Sequence, residues 1–472
     1  MHVRPETVVT EKTENKKISS TLCRKHAHDV KEENMSHYLS NSWEVSGTDP
    51  EAFRDLIKKI DAHTRYVCVD FKDVIVNSLT MDEDGNISAY EIDPSAVLEN
   101  GIVEAKPVNL DFIENTVGEK IKTEACQDGI IFTYRSHNHV HLISSNAYAT
   151  LGQRIALPGT AMLFRSLARD CLIAEHIGHH ATLKKAVAVI KQSEGVAKIF
   201  AFLTQSYVPV PLDIINVITD RLISESKLGN AECMQWNANH DMVSIDYKFT
   251  EYADELSDIY ELEEKMTPCV RLMTSDVGEC SIRATGFWMT EKGDKIICDE
   301  YSRAHKGSAE KGNISVSEIK ENVEEKIFDK YVVFPQRLKA LAYVKITPET
   351  LDLTTEKGRK KNKEVLLSVY MRVLRELGLS TILGAKRMKP LRDALETSLI
   401  DENLAYSAYA IAKDVISLPR IMKSWWSSSE LPEAALEKFQ KAVSRVVYLD
   451  FEAMKHSKRE AKLYFTPDVE EE

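Results

Sequence analysis

The sequence predicts an α+β protein with mixed N-terminal and central β-sheet regions, packed helices and a mainly helical C-terminal third. Three observations predict it. Short apolar runs with period-two alternation, bounded by Gly, Asp and Pro, occupy the first part of the chain and return in its middle. Apolar residues at three- and four-residue spacing dominate the last third. A hydrophobic content of 43% over 472 residues is ample for folded cores, which excludes global disorder.

At roughly 100–200 residues per domain, the length predicts two to four domains. Residues 1–45 are polar and charged without a sustained period and read as a flexible tail. Residues 46–215 read as an α+β domain, 216–345 as a β-meander plus helix, and 346–472 as a helical region with a basic segment and an acidic tail. Tyr66–Val69, Val74–Leu79 and Ile87–Tyr90 have strand character, with Asp84-Gly85 as a hairpin turn. Ile130–Tyr134 and Val140–Ile143 continue it. Helices are predicted over Ala147–Ile155, Thr160–Ile177 and Leu183–Lys191, then a buried strand over Lys198–Thr204 and a helix over Leu212–Ser224. Val243–Phe249 alternates, placing Val243, Ile245, Tyr247 and Phe249 on one face. Val270–Thr274, Glu279–Met289 and Lys295–Asp299 read as a three-stranded meander, followed by a helix near Val316–Lys330. Lys363–Leu377, Leu391–Ser398, Ala405–Ile416 and Glu433–Val447 are the C-terminal helices.

No apolar run approaches the ~20 residues needed to span a bilayer, and Met1–Lys31 lacks the apolar centre of a secretory signal. The eight cysteines form no C-x-x-C pair and sit at no zinc-finger spacing. A cytoplasmic protein with reduced thiols, without membrane or cofactor, is expected.

The formal charge is −12, which argues against a uniformly nucleic-acid-coating protein. Its distribution is uneven. Lys357 to Arg392 holds eleven Lys and Arg against only Glu364 and Glu376, a local +9 that leaves −21 on the rest. Such asymmetry marks either a solvated helix face or a surface for nucleic acid. The candidate contacts are Arg359, Lys360, Lys361, Lys363, Arg372, Arg375, Lys386, Arg387, Lys389 and Arg392. Lys306 and Lys311 join them from a Gly-rich stretch that lacks the Lys-Ser/Thr of a phosphate-binding loop.

Two further stretches carry a family signal. One runs from His141-Leu142-Ile143-Ser144-Ser145-Asn146-Ala147 through Leu151–Gly159 to Ala197–Tyr207. The other is Pro268–Gly278, an alternating strand and Arg303-Ala304-His305-Lys306-Gly307. Together they resemble a phage- and plasmid-borne family of unknown function, over roughly residues 135–340. Where that family has a cysteine and an asparagine after the second hairpin strand, this chain has Cys298-Asp299-Glu300. The resemblance implies a mobile-element origin and a mixed fold, and supplies no reaction.

Histidines are the other candidate chemistry. His137, His139 and His141 alternate, so a strand places them on one face; His176, His179 and His180 share one face of a helix. Two such faces suit zinc or another transition metal, or else form polar edges. Thr80–Glu91 imitates a calcium loop with Gly85 at position 6, although its flanks read as strands and a hairpin turn explains the same residues. Three functions follow. The first is a non-enzymatic accessory protein of a phage or mobile element that binds nucleic acid, single-stranded DNA or RNA. The second is a protein-interaction or assembly factor, homo-oligomeric or acting in counter-defence. The third is a metal-dependent enzyme built on the His137–His180 cluster.

Overall fold

The computed structural model describes residues 37–84, 86–97, 103–109, 111, 129–136, 140–157, 166–179, 185–193, 195–207, 209–224, 226, 228–253, 265–304, 316–331, 333–426 and 433–456. The described strands are β1 (Glu44–Gly47), β2 (Thr64–Asp70), β3 (Val74–Met81), β4 (Ile87–Val97), β5 (Val103–Val108), β6 (Ile130–Tyr134) and β7 (Val140–Ile143). They continue with β8 (Lys185–Ser193), β9 (Val196–Leu203), β10 (Glu232–Asn239), β11 (Val243–Lys248), β12 (Met266–Thr274), β13 (Ile282–Thr290) and β14 (Lys295–Arg303). The helices are α1 (Pro50–His63), α2 (Tyr148–Ile155), α3 (Leu167–His179), α4 (Ile214–Ser224), α5 (Val316–Lys326) and α6 (Val333–Ala342). The C-terminal helices are α7 (Glu356–Glu376), α8 (Leu379–Ala394), α9 (Ala408–Lys423), α10 (Glu433–Ser444) and α11 (Phe451–His456). The α+β expectation holds.

The strands form two sheets. One is antiparallel, in the order β1-β10-β11-β12-β13-β14; the other has the order β2-β8-β9-β7-β6-β3-β4-β5. In the second sheet β7 and β9 run parallel, with Leu142 opposite Lys198 and Ile143 opposite Ile199. Alternation along β6 builds two apolar layers. Ile130 and Phe132 face the core beneath α2 and α3, whereas Ile131 faces the larger core that also holds the meander and the C-terminal helices. The expected face of Val243, Ile245, Tyr247 and Phe249 is buried in that larger core.

Packing is close where the chain runs from α5 over the meander. Gly286 sits at the bulge where β13 and β14 shift register. A Cβ there would stand 2.1 Å from Ile327 Cγ2 and 3.2 Å from the Tyr331 hydroxyl, and both side chains are fully buried. Gly286→Ala is therefore expected to cost about 1–3 kcal/mol through overpacking, seen as a lower urea midpoint.

Several expectations are corrected. Of the helix expected over Leu183–Lys191, the described part, from Lys185 on, is a strand, β8, and not a helix. Its apolar run is buried between β2 and β9, and in so short a run periodicity does not separate a buried strand from a helix. Residues 37–45, expected at the end of a tail, are packed: Tyr38 and Trp43 are buried, and β1 begins at Glu44. The helix expected over Leu391–Ser398 is present, but it begins earlier, at Leu379, and its last turn, Leu395–Leu399, widens to a π-helix. Six elements, α1, α6, α11, β1, β5 and β10, were not expected from the sequence. Of these, α1 has a clear start signal, because Asp49 accepts from the Glu51 amide at 3.0 Å and Pro50 opens the helix. The start of the expected Thr160–Ile177 helix and most of the acidic Glu251–Glu264 segment lie outside the described residues.

Candidate nucleic-acid interface

The basic segment folds into α7 and α8, and α8 packs against α7 and α10. Thr355 caps α7 by accepting from the Gly358 amide, and Leu366, Val369, Tyr370, Val373 and Leu374 form its buried stripe. The 3.6-residue period then sends Lys357, Lys360, Lys361 and Arg375 to the opposite side, where all four are exposed. From Lys357 to Arg375 this stripe extends about 27 Å at 1.5 Å per residue. In α8, Gly384 adopts φ 72°, ψ 163°, a backbone open to glycine, and kinks the helix; Lys386 and Lys389 follow as exposed neighbours one turn apart.

The structure divides the ten described basic candidates. Lys360, Lys361, Arg375, Lys386 and Lys389 are exposed. Arg359 folds back to donate to the carbonyls of Leu353 and Thr354, at 3.4 and 2.8 Å. Arg372 donates to the Met454 carbonyl at 2.9 Å and Arg387 to that of Leu383 at 3.2 Å. Lys363 lies 4.0 Å from Glu402. Lys361 pairs with Glu364 at 2.9 Å, an exposed pair that contributes little to stability. Arg392 is half-buried. Lys306 and Lys311 lie outside the described residues.

The described histidines of this set, His141, His176 and His179, make separate contacts. His141 Nδ1 lies 2.9 Å from the Tyr134 hydroxyl, His176 Nδ1 lies 3.2 Å from the Ile155 carbonyl, and His179 is exposed. His137, His139 and His180 lie outside the described residues. Among the described residues no group of three or more His, Cys, Asp or Glu stands where a metal ion would be shared. In the calcium-like segment, Asp82 accepts from the amides of Asp84 and Asn86, at 3.1 and 2.8 Å, which spends its carboxylate on the β3–β4 turn. Burial pushes the Cys269 thiol up to about 12 and those of Cys233 and Cys280 to about 11, so these three are poor thiolate nucleophiles.

Two polar constellations were not foreseen from the sequence. One is a crevice between the β13–β14 turn and α9. Arg420 donates to both carboxylate oxygens of Asp294, at 2.7 and 3.2 Å, and Tyr370 on α7 donates to Asp414. Burial raises the Asp414 carboxyl above its ordinary value, against the Tyr370 hydrogen bond and the nearby Lys413 and Lys292. The spacing Tyr409, Lys413, Ile416, Arg420 on one helix face was a readable signal, but its partner Asp294 is remote in sequence.

The other constellation is a charged layer where the two sheets meet. Lys191 of β8 and Asp276 of the β12–β13 turn form a buried pair at 3.1 Å, and Lys191 also donates to the His240 carbonyl at 3.3 Å. Lys198 donates to the Leu39 carbonyl at 3.1 Å. The Phe200 ring stacks on His240 at 3.9 Å and carries both lysine ammoniums over it, at 5.5 and 5.8 Å. Tyr38 and Trp43 close the layer around the imidazole. Burial, and then the Lys191 charge, push the His240 imidazole well below its ordinary value of 6.5.

The folded state therefore binds fewer protons at His240 than the unfolded chain does. As pH falls below about 6.5, the unfolded state gains a proton that the folded state refuses, and stability declines by up to about 1.4 kcal/mol per pH unit. Asp61 and Asp241, both raised by burial, act in the opposite sense nearer the ordinary carboxylate range. The decline is expected between pH 6.5 and about 5 in urea midpoints, and His240→Gln should flatten it. No protein-family model, no curated protein and no solved structure matches this chain.

Proposed function

We propose that the chain is a non-enzymatic accessory protein that binds single-stranded nucleic acid through the outer faces of α7 and α8, in the service of a phage or other mobile element. The observation that carries this reading is the stripe of Lys357, Lys360, Lys361 and Arg375, with Lys386 and Lys389 on the next helix, in a chain otherwise strongly acidic. Cations at helical spacing track a phosphate backbone, while the acidic remainder repels it, so binding is confined to one surface. The mobile-element context rests on the resemblance over residues 135–340.

The test is retention on single-stranded DNA and RNA across a salt series. Affinity should fall linearly in log–log form as counterions are re-bound, and no retention at low salt sinks the reading. A second reading, a protein-assembly factor, has an observation of its own. Tyr343 and Leu404 are 76% and 56% exposed, and Trp425 and Tyr448 add further apolar surface to the helical third. Sizing without nucleic acid discriminates the two, because a stable oligomer or partner complex free of nucleic acid favours the second.

A further inference from the structure

The crevice between the β13–β14 turn and α9 has a volume of about 100 Å³. At about 10–15 Å³ of such space per water, it admits roughly seven to ten water-sized groups, close to the number of heavy atoms in a pyrimidine base. Its apolar walls are Met266, Ile296, Leu338 and Ile416, drawn from two strands and two helices. Tyr409 supplies an aromatic wall, with the Lys413 ammonium 6.0 Å from its ring centre.

The polar groups fall into two sets. Hydrogen-bonding groups suited to a base edge are Thr290, Ser417 and the Asp414 carboxyl, which Tyr370 holds in place. Two lysines join them in the lining: Lys292 is exposed on the turn and Lys413 is half-buried on the helix. The remaining charges, Arg420 and Asp294, are already locked to each other in a two-bond pair. With the Asp414 carboxyl counted, the lining holds three cations, Lys292, Lys413 and Arg420, and two carboxylates, one positive charge in excess. A small, partly apolar cavity with a few hydrogen-bonding groups and cations in its lining is complementary to a base bearing a phosphate.

We propose that this crevice is a nucleotide site, in which one base enters against Tyr409 and its phosphate meets Lys292 and Lys413. This rests on the nucleic-acid reading above and adds a discrete pocket to its diffuse surface. Tyr370, which braces Asp414, belongs to α7, so the crevice lies about one helix diameter, roughly 10 Å, behind the basic stripe. The ligand is either a free nucleotide or the phosphorylated end of a strand, which share this chemistry.

The experiment uses the full chain and three probes in calorimetric titration: thymidine 5′-monophosphate, thymidine, and oligo(dT) with or without a 5′-phosphate. The monophosphate is expected to bind, and thymidine at least about tenfold more weakly, as the absence of a charge-assisted hydrogen bond implies. Stronger binding of the 5′-phosphorylated oligonucleotide points to a strand end; equal binding of both oligonucleotides with retained monophosphate binding points to a free nucleotide. Ser417→Phe fills the slot and should abolish monophosphate binding. Lys292→Gln, on an exposed turn, leaves the core intact and should erase the preference for phosphate even if the first variant folds poorly. Oligonucleotide retention without monophosphate binding overturns this site and leaves the stripe standing; loss of both overturns the two together. Monophosphate binding that neither variant alters also overturns the site.

Discussion

Lys191→Ala should be among the most damaging single substitutions in the protein, lowering stability by about 3–5 kcal/mol. Lys191 and Asp276 are 1% and 2% exposed, and they join β8 of one sheet to the β12–β13 turn of the other. Truncating the lysine strands the Asp276 carboxylate among the Tyr38, Tyr66 and Tyr207 rings, each of whose ionisation its charge already opposes. It also removes the donor to the His240 carbonyl. A loss of this size is a large share of the stability typical of natural domains. The pair itself contributes much less than its rupture costs, because both charges were desolvated to make it. Lys191→Met combined with Asp276→Ala should therefore recover much of the loss. A double-mutant cycle of Lys191→Met and Asp276→Ala, each alone and together, reads the coupling in urea, and an additive result would show that the two groups are not coupled.

Reversing charge at Lys360, Lys361, Lys386 and Lys389 together should weaken single-stranded DNA binding on the order of a hundredfold or more near 0.1 M salt. The slope of log affinity against log salt should shrink by about three, at roughly 0.7 for each phosphate that is no longer neutralised. All four side chains are exposed, so the fold should be unaffected, with circular dichroism and melting temperature unchanged. The control is informative. Arg359, Arg372 and Arg387 belong to the same basic run, yet each donates to a backbone carbonyl. Substituting these should alter stability more than the salt slope. An unchanged slope in the fourfold variant would return α7 and α8 to the role of a solvated helical layer.

The β-meander and the C-terminal helices were legible because their periodicities are long or regular. Val243, Ile245, Tyr247 and Phe249 announce one buried face of β11. β8 was not legible, since Ala186–Ile190 is apolar on both faces and only its neighbours β2 and β9 make it a strand. The charged layer was harder still. Lys191 and Lys198 resemble ordinary surface lysines, and their burial follows from Asp276 and the Leu39 carbonyl, which are far away in sequence. For the basic segment, composition supplied the net charge but not its allocation. Helical phase separates Lys360 and Lys361 from the buried stripe, whereas the carbonyls that occupy Arg359 and Arg372 lie in turns and helix ends that composition does not place.

The edge strand β1 has a consequence for how the protein is made. Among the described strands it pairs with β10, and the side chains of Glu44 and Asn237, which bond across that pair, are 193 residues apart in the chain. A ribosome adding about 5–20 residues per second needs roughly 10–40 seconds to cover that distance. Throughout that interval the early segment, with Tyr38 and Trp43 destined for burial, has been synthesised before its partner exists. The six-stranded sheet is thus completed by an early part of the chain, and its completion is timed by translation as well as by chemistry. Slower elongation ahead of residue 239 would lengthen the exposure of that apolar segment to chaperones and to other nascent chains.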